Sequence, residues 1–216
     1  MRFLNTLLDI IFPTNCISCG APGRDICLPC LSDSPRAERE SAEWIFPIFD
    51  YRHPSVKKAL WLLKYKGKKR IAQVFAEVLF GEILEELSEL SVMENFREPL
   101  LIPIPLSANR FRERGYNQAE LICMELTELD KEKNFRFEKN ILIKTKETEN
   151  QARIKDRSAR LKNIIGSLAV KNPELVKGKN IILIDDITTT GATLDEARKT
   201  LKQAGARSVI AFAVAH

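Results

Sequence analysis

Unbroken apolar runs alternate along this chain with segments whose apolar residues recur every three or four positions. Leu100-Leu101-Ile102-Pro103-Ile104-Pro105, Ile181-Ile182-Leu183-Ile184 and Ser208-Val209-Ile210-Ala211-Phe212-Ala213-Val214 are of the first kind. Strands buried on both faces of a parallel sheet require such runs. Trp44-Ile45-Phe46-Pro47-Ile48-Phe49-Asp50-Tyr51 reads as another strand. Proline donates nothing to a ladder, so Pro47 confines it to an edge or bend. Ile141-Leu142-Ile143 is a further short strand. The second kind comprises Val56, Ala59, Leu60 and Leu63, then Ile71, Val74, Phe75, Val78, Leu79, Ile83, Leu87 and Leu90. Ala119, Ile122, Leu126 and Leu129 follow, and Leu194, Ala197, Leu201 and Ala204 close the series, with Gly205 placed to cap that helix. Alternating strands and helices without an internal repeat predict an α/β fold: a mostly parallel sheet flanked by helices. Ligands bind at the carboxyl ends of such strands, which puts segments 103–117 and 185–193 on one rim.

Residues 181–193 are the most informative. The buried strand runs into Asp185-Asp186, then Ile187-Thr188-Thr189-Thr190-Gly191-Ala192-Thr193, and Leu194-Asp195-Glu196-Ala197-Arg198 starts a helix. Backbone N–H groups at such a turn and helix N-terminus point at an anion, and the helix dipole favours negative charge there. Gly191 permits positive φ and close approach of a ligand. Carboxylates just ahead of the cradle can accept hydrogen bonds from vicinal sugar hydroxyls. A ribose 5-phosphate group satisfies all of these at once.

Composition narrows the class. With 216 residues, 44% hydrophobic and 29% charged, the chain suits one full α/β domain plus a small appendage. No apolar run approaches the roughly 20 residues of a membrane span. Residues 1–12 are apolar but interrupted by Asn5 and Asp9, without a small-residue cleavage site, and read as a short amphipathic helix. A cytosolic protein is expected. Four of the five cysteines form Cys16-Ile17-Ser18-Cys19 and, after seven residues, Cys27-Leu28-Pro29-Cys30. Two such knuckles can set four thiolates around one tetrahedral Zn²⁺, a closed and therefore structural site. Residues 1–40 are expected to form an N-terminal helix and cysteine module, and residues 44–216 the main domain. Polar residues 32–41 would link them. Cys123 falls in an apolar helix pattern and reads as core.

Two basic segments complete the picture. Arg110-Phe111-Arg112-Glu113-Arg114-Gly115-Tyr116-Asn117-Gln118 reads as a loop whose three arginines offer forked donors to pyrophosphate or a nucleic-acid backbone. From Arg52 to Arg70 there are eight basic residues and no acid, with Tyr51, Trp61 and Tyr65 interleaved. Lys57, Lys58, Lys64, Lys66, Lys68, Lys69 and Arg70 are candidate contacts to single-stranded nucleic acid. Trp61 and Tyr65 are expected to pack inward.

The acidic doublet with Thr-Thr-Gly-x-Thr resembles the pattern by which type I phosphoribosyltransferases hold phosphoribosyl pyrophosphate (PRPP). Pro103-Ile104-Pro105-Leu106-Ser107, Arg110, Arg114-Gly115-Tyr116-Asn117-Gln118-Ala119, Thr148-Glu149-Asn150-Gln151, Arg160-Leu161-Lys162-Asn163 and Gly166 stand, with the paired cysteine knuckles, in the order of the ComF family. Ser167 and Leu168 depart from it where a Phe often stands. The resemblance implies a type I phosphoribosyltransferase fold with an N-terminal zinc module, and a part in DNA uptake during natural transformation. It implies that Asp185 and Asp186 serve the ribose hydroxyls and the Mg²⁺ shell. Thr188, Thr189, Thr190, Gly191, Ala192 and Thr193 would hold the 5-phosphate. Arg110 and Arg114 would act in catalysis, with Arg112, Gly115, Asn117 and Gln118 near the pyrophosphate. A variable hood, here the cysteine module and residues 44–70, would take the acceptor.

Three functions fit these residues: a phosphoribosyltransferase active in competence, a single-stranded DNA-binding competence factor keeping its PRPP site for regulation, or a transferase of nucleotide or sugar metabolism. Expected partners are PRPP, single-stranded DNA and other DNA-processing proteins.

Overall fold

The computed structural model describes residues 14–37, 42–146 and 164–216. The expected helix at 1–12 and the motif residues Thr148–Gln151 and Arg160–Asn163 lie outside the described residues. A short helix α1 (Leu28–Ser32) in the cysteine segment precedes β1 (Ile45–Phe49), α2 (Pro54–Tyr65) and α3 (Ile71–Met93). Then come β2 (Leu100–Pro103), α4 (Ala108–Arg114), α5 (Gln118–Leu129), β3 (Arg136–Phe137), β4 (Leu142–Lys144) and β5 (Leu168–Val170). A 3₁₀ turn (Pro173–Leu175) leads to β6 (Asn180–Ile187), α6 (Ala192–Gln203) and β7 (Ser208–Ala215).

Five strands form one sheet in the order β1-β7-β6-β2-β3, every pair parallel. β1 takes the edge, as Pro47 requires. Because successive side chains of a strand point to opposite faces, the apolar run of β6 serves two layers. Ile182 and Ile184 join Leu101 and Phe212 against Leu60 and Leu63 of α2, Phe75 and Leu79 of α3, and Ile122 and Leu126 of α5. Ile181 and Leu183 join Ile102 and Ala211 against Leu194, Ala197 and Leu201 of α6. Sequence reading missed β3 and β5. β4 proves to lie outside the main sheet, paired antiparallel with β5, and Leu142 and Leu168 cover the α6 layer.

The connections diverge from neighbouring strands. The chain leaves β2 through α4 and α5 to reach β3 on one side, and leaves β6 through α6 to reach β7 on the other. That divergence opens a crevice at the carboxyl ends of β2 and β6, the position where open α/β sheets bind ligands. Pro103 pairs with Ile184 and the Ile104 N–H donates to the Ile184 carbonyl at 2.9 Å. The proline-rich strand end therefore lies beside the acidic doublet.

The cysteine segment is not held apart. Ile26 and Leu31 are fully buried in the same apolar layer as Phe75. Lys68, in the turn between α2 and α3, reaches Asp25 at 3.0 Å. Among the described residues, no helix is long and apolar enough to cross a membrane.

Candidate active site and metal centre

Asp185 and Asp186 stand within β6, not beyond it, so strand geometry aims them at opposite faces. Asp186 shares the parity of Ile182 and Ile184, the α2 side, and Lys64 of α2 meets its Oδ1 at 3.0 Å. The two side chains are only 15% and 13% exposed, making this an interior pair. Asp185 faces the α6 side and lines the small pocket at that helix's N-terminus with Thr188, Thr189, Gly191, Ala192 and Thr193. Burial and, after it, the neighbouring Asp186 charge push its carboxyl up to about 7, although the Asp186 N–H, Lys64 and Lys144 oppose the rise. At neutral pH Asp185 therefore gives up or takes a proton readily when a hydroxyl or a cation approaches.

The cradle forms for identifiable local reasons. The Thr188 N–H bonds the Ala215 carbonyl at 2.9 Å, which ties the turn to β7. Gly191 is the N-cap of α6 at φ 76, a left-handed conformation that side chains resist. A Cβ there would lie 3.4 Å from Cδ1 of Ile45. The helix begins at Ala192, two residues earlier than the sequence reading placed it. The Thr190 hydroxyl accepts from the Ala192 N–H at 3.4 Å. The other N–H groups of that first turn have no carbonyl partner within the helix.

A cavity of about 280 Å³ joins these groups to the β2 side. Asp185, Asp186, Thr189, Thr193, Arg110, Arg114 and Asn117 all line it. Carboxylates, an N-terminal helix turn and two guanidinium groups in one concavity can hold a sugar bearing phosphates at both ends.

A phosphoribosyl transferase domain model matches residues 120–216, which include the doublet and the cradle. A DNA utilization protein, YhgH, of Escherichia coli O6:H1 is 27% identical over 198 residues, covering 91% of this chain and 81% of that protein. The competence protein ComFC of Streptococcus pneumoniae is 31% identical over 172 residues, covering 77% of this chain and 66% of that protein. The chain belongs to the ComF family of type I phosphoribosyltransferase-like proteins. An allosteric regulatory enzyme of purine biosynthesis of known structure matches over 58% of this chain at 19% identity and a TM-score of 0.35. The chain spans 23% of that enzyme's length.

In this ComF-family chain the segment Arg110–Gln118 is not the loop expected from sequence. Residues Ala108–Arg114 are α4, capped by Ser107, whose Oγ accepts from the Arg110 N–H at 3.4 Å. Gly115 ends it at φ 75. The strong cap and the αL glycine were both legible, but the arginines masked them. Arg112 is exposed and donates to Oδ1 of Asn109, away from the cavity. Gln118 is fully buried and accepts from Nη1 of Arg114 at 2.8 Å, so it orients that arginine. Asn117 caps α5 through the Ala119 N–H and ties it to the Ile104 carbonyl at 2.9 Å. Gly115, Asn117 and Gln118 thus shape the wall.

The second basic segment divides. Lys57 and Lys58 are exposed. Lys64 turns into the cavity, Lys68 is paired with Asp25, Lys66 lies 5.3 Å from the Trp61 ring centre and Lys69 lies 4.7 Å from that of Tyr116. Arg70 is exposed and borders a second pocket with Asp25. Trp61 and Tyr65 do not pack inward: they are 46% and 50% exposed and line the cavity. The buried stripe of α2 is Val56, Ala59, Leu60 and Leu63, and positions 61 and 65 fall off it on a 100° wheel. Sequence reading also passed over Lys144 and His216, which join the cavity only through the fold. Its lining comes from residues 51–65 on that side; among the described residues none belongs to the cysteine segment.

Cys16, Cys19, Cys27 and Cys30 place their sulfurs within 4.8 Å of one another, without disulfides. The Ser18 and Cys27 N–H groups point at Cys16 Sγ at 3.5 and 3.4 Å. Burial opposes ionisation of Cys16, but N–H donors of Cys19, Cys27 and Ser18 prevail and bring it down to about 6. Cys30 rises to about 12: the Ser18 hydroxyl lowers it, while Cys27, Cys19 and Cys16 together outweigh that effect. Four crowded sulfurs cannot all ionise without a cation among them, so the donor set fits a tetrahedral metal.

Proposed function

We propose that this protein binds PRPP with Mg²⁺ and transfers its phosphoribosyl group to an acceptor nucleophile, which bonds to C1 as pyrophosphate leaves, in the service of DNA uptake. The observation that carries the reading is the meeting of Asp185, Asp186, Thr189, Thr193, Arg110 and Arg114 in one cavity. The α6 turn would hold the 5-phosphate on its N–H groups. The doublet would accept hydrogen bonds from the ribose hydroxyls. Arg110 and Arg114 would lie against the pyrophosphate and stabilise its charge as it departs. Mg²⁺ held by Asp185 and Asp186 would supply charge neutralisation to the phosphates. The cysteine cluster would hold Zn²⁺ as a structural centre. The names of the relatives, DNA utilization and competence proteins, support the place in DNA uptake.

Calorimetry with PRPP and Mg²⁺ tests this. Binding is expected in the unaltered protein and its loss, by about a hundredfold or more, in Asp185→Asn/Asp186→Asn. Equal affinity in the two proteins refutes the site. A second reading, a single-stranded DNA-binding factor without turnover, is favoured by the exposed lysines Lys57 and Lys58 beside the cavity-lining aromatics. It predicts oligonucleotide affinity that falls steeply with salt and no pyrophosphate release.

A further inference from the structure

Asp186 already has a cation. Lys64 of α2 meets its Oδ1 at 3.0 Å, and both side chains are largely buried. Both also line the cavity of about 280 Å³, so a ligand reaches the pair directly and it is not sealed in the core. A buried ion pair is a poor fastener, because desolvation cancels most of its attraction. Nor does α2 need one. Val56, Ala59, Leu60 and Leu63 pack that helix into the apolar layer on the sheet, and the Tyr116 hydroxyl donates to the Leu63 carbonyl. Arg114, which lines the same cavity, is held in place by Gln118 at 2.8 Å and lies 5.1 Å from the Tyr65 ring centre. Lys64 is built differently: a compact charge on a flexible four-carbon stem, with three rotatable donors. Its ammonium sits on a carboxylate oxygen that a hard divalent cation would otherwise take.

We propose that Lys64 is the resident counter-ion of the acidic doublet and excludes free divalent cations from Asp186. It yields that oxygen when a phosphorylated sugar offers phosphate oxygens to its ammonium instead. Two adjacent carboxylates at a cavity wall would by themselves collect cations from solution; with Lys64 in place the metal site opens together with the sugar-phosphate site. Metal and sugar phosphate then bind with positive coupling, each favouring the other by the same factor. The proposal rests on the PRPP reading only for the group that draws Lys64 away.

Zinc-loaded full-length protein is titrated with Mn²⁺ at pH 8 without PRPP, and the free ion is counted by electron paramagnetic resonance. Uptake at the doublet should be weak in the unaltered protein. Lys64→Gln should bind one equivalent about tenfold more tightly or better, and Asp186→Asn in that background should abolish the gain. Lys64→Met, which keeps the stem, makes the same comparison where Lys64→Gln does not fold. Adding PRPP should strengthen Mn²⁺ uptake by a larger factor in the unaltered protein than in Lys64→Gln, a difference that a purely structural ion pair would not produce. Equal Mn²⁺ affinity in the folded variant and the unaltered protein overturns the proposal, and so does a gain that survives Asp186→Asn. Failure of the unaltered protein to bind PRPP overturns the cradle reading instead, and the PRPP-free titration still decides the role of Lys64.

Discussion

The two walls of the cavity are built on different principles. On the α6 side the groups that face a ligand are mostly backbone, held by a glycine at φ 76 and a turn tied to Ala215. On the α2 side they are side chains, Trp61, Lys64 and Tyr65, and their positions depend on how one helix lies on the sheet. A backbone site is written into a short local motif. A side-chain site is only as good as the packing beneath it, here the apolar layer that Leu60 and Leu63 share with Ile184, Ile26 and Leu31. The contrast predicts that perturbations of packing or metal will reach the α2 wall first and leave the cradle standing.

The largest expected effect is metal removal. Structural zinc contributes on the order of 10 kcal/mol to small cysteine modules. A strong chelator should release one equivalent of metal, expose Ile26 and Leu31, and raise amide exchange in α2 and α3 well before β6 and α6. Simultaneous loss of protection in both walls would end the contrast. Next is Lys64→Met, which leaves Asp186 buried without its cation and should cost about 2 kcal/mol in urea unfolding at pH 8. Less is lost at pH 5, where Asp185 is protonated. A cost that does not vary with pH would show that Lys64 acts only by packing.

Asp185→Asn is expected to stabilise the fold. The native carboxyl, at about 7, binds its proton more tightly than the unfolded value of 3.8. Across that interval the native state holds more protons than the unfolded one, so stability declines as pH rises and the full cost is present above pH 7. The amide removes it. Asn should thus gain about 1–3 kcal/mol at pH 8 and nothing near pH 3.5, read from paired urea curves. A gain that is constant with pH contradicts the assignment. The smallest effect belongs to Gly191→Ala, which should cost about 1 kcal/mol for the left-handed φ. It should also weaken PRPP binding while leaving the Lys64–Asp186 pair in place, because the change is confined to the backbone wall.

These differences explain what could be read in advance. Consecutive apolar residues at 181–184 and 208–214 revealed buried parallel strands, and the doublet with Thr189–Thr193 revealed the cradle. The cysteine spacing revealed the cluster of four sulfurs. Arg110–Arg114 reads as a loop because its dense charge obscures the Ser107 cap and Gly115 stop that make it a helix. Trp61 and Tyr65 were misplaced because aromatic residues on an amphipathic helix usually point inward, whereas here Leu60 and Leu63 already fill that stripe.

Sequence by itself determined the elements whose causes are local: the runs, the caps, the cysteine knuckles and the glycine-capped turn before α6, each closed by interactions among near neighbours. Tertiary structure alone decided that Lys64 meets Asp186, that Gln118 orients Arg114, and that an aromatic wall faces the cradle. Those contacts join residues far apart in the chain, and their geometry follows from the packing of helices on a twisted sheet, which no short pattern of residues specifies.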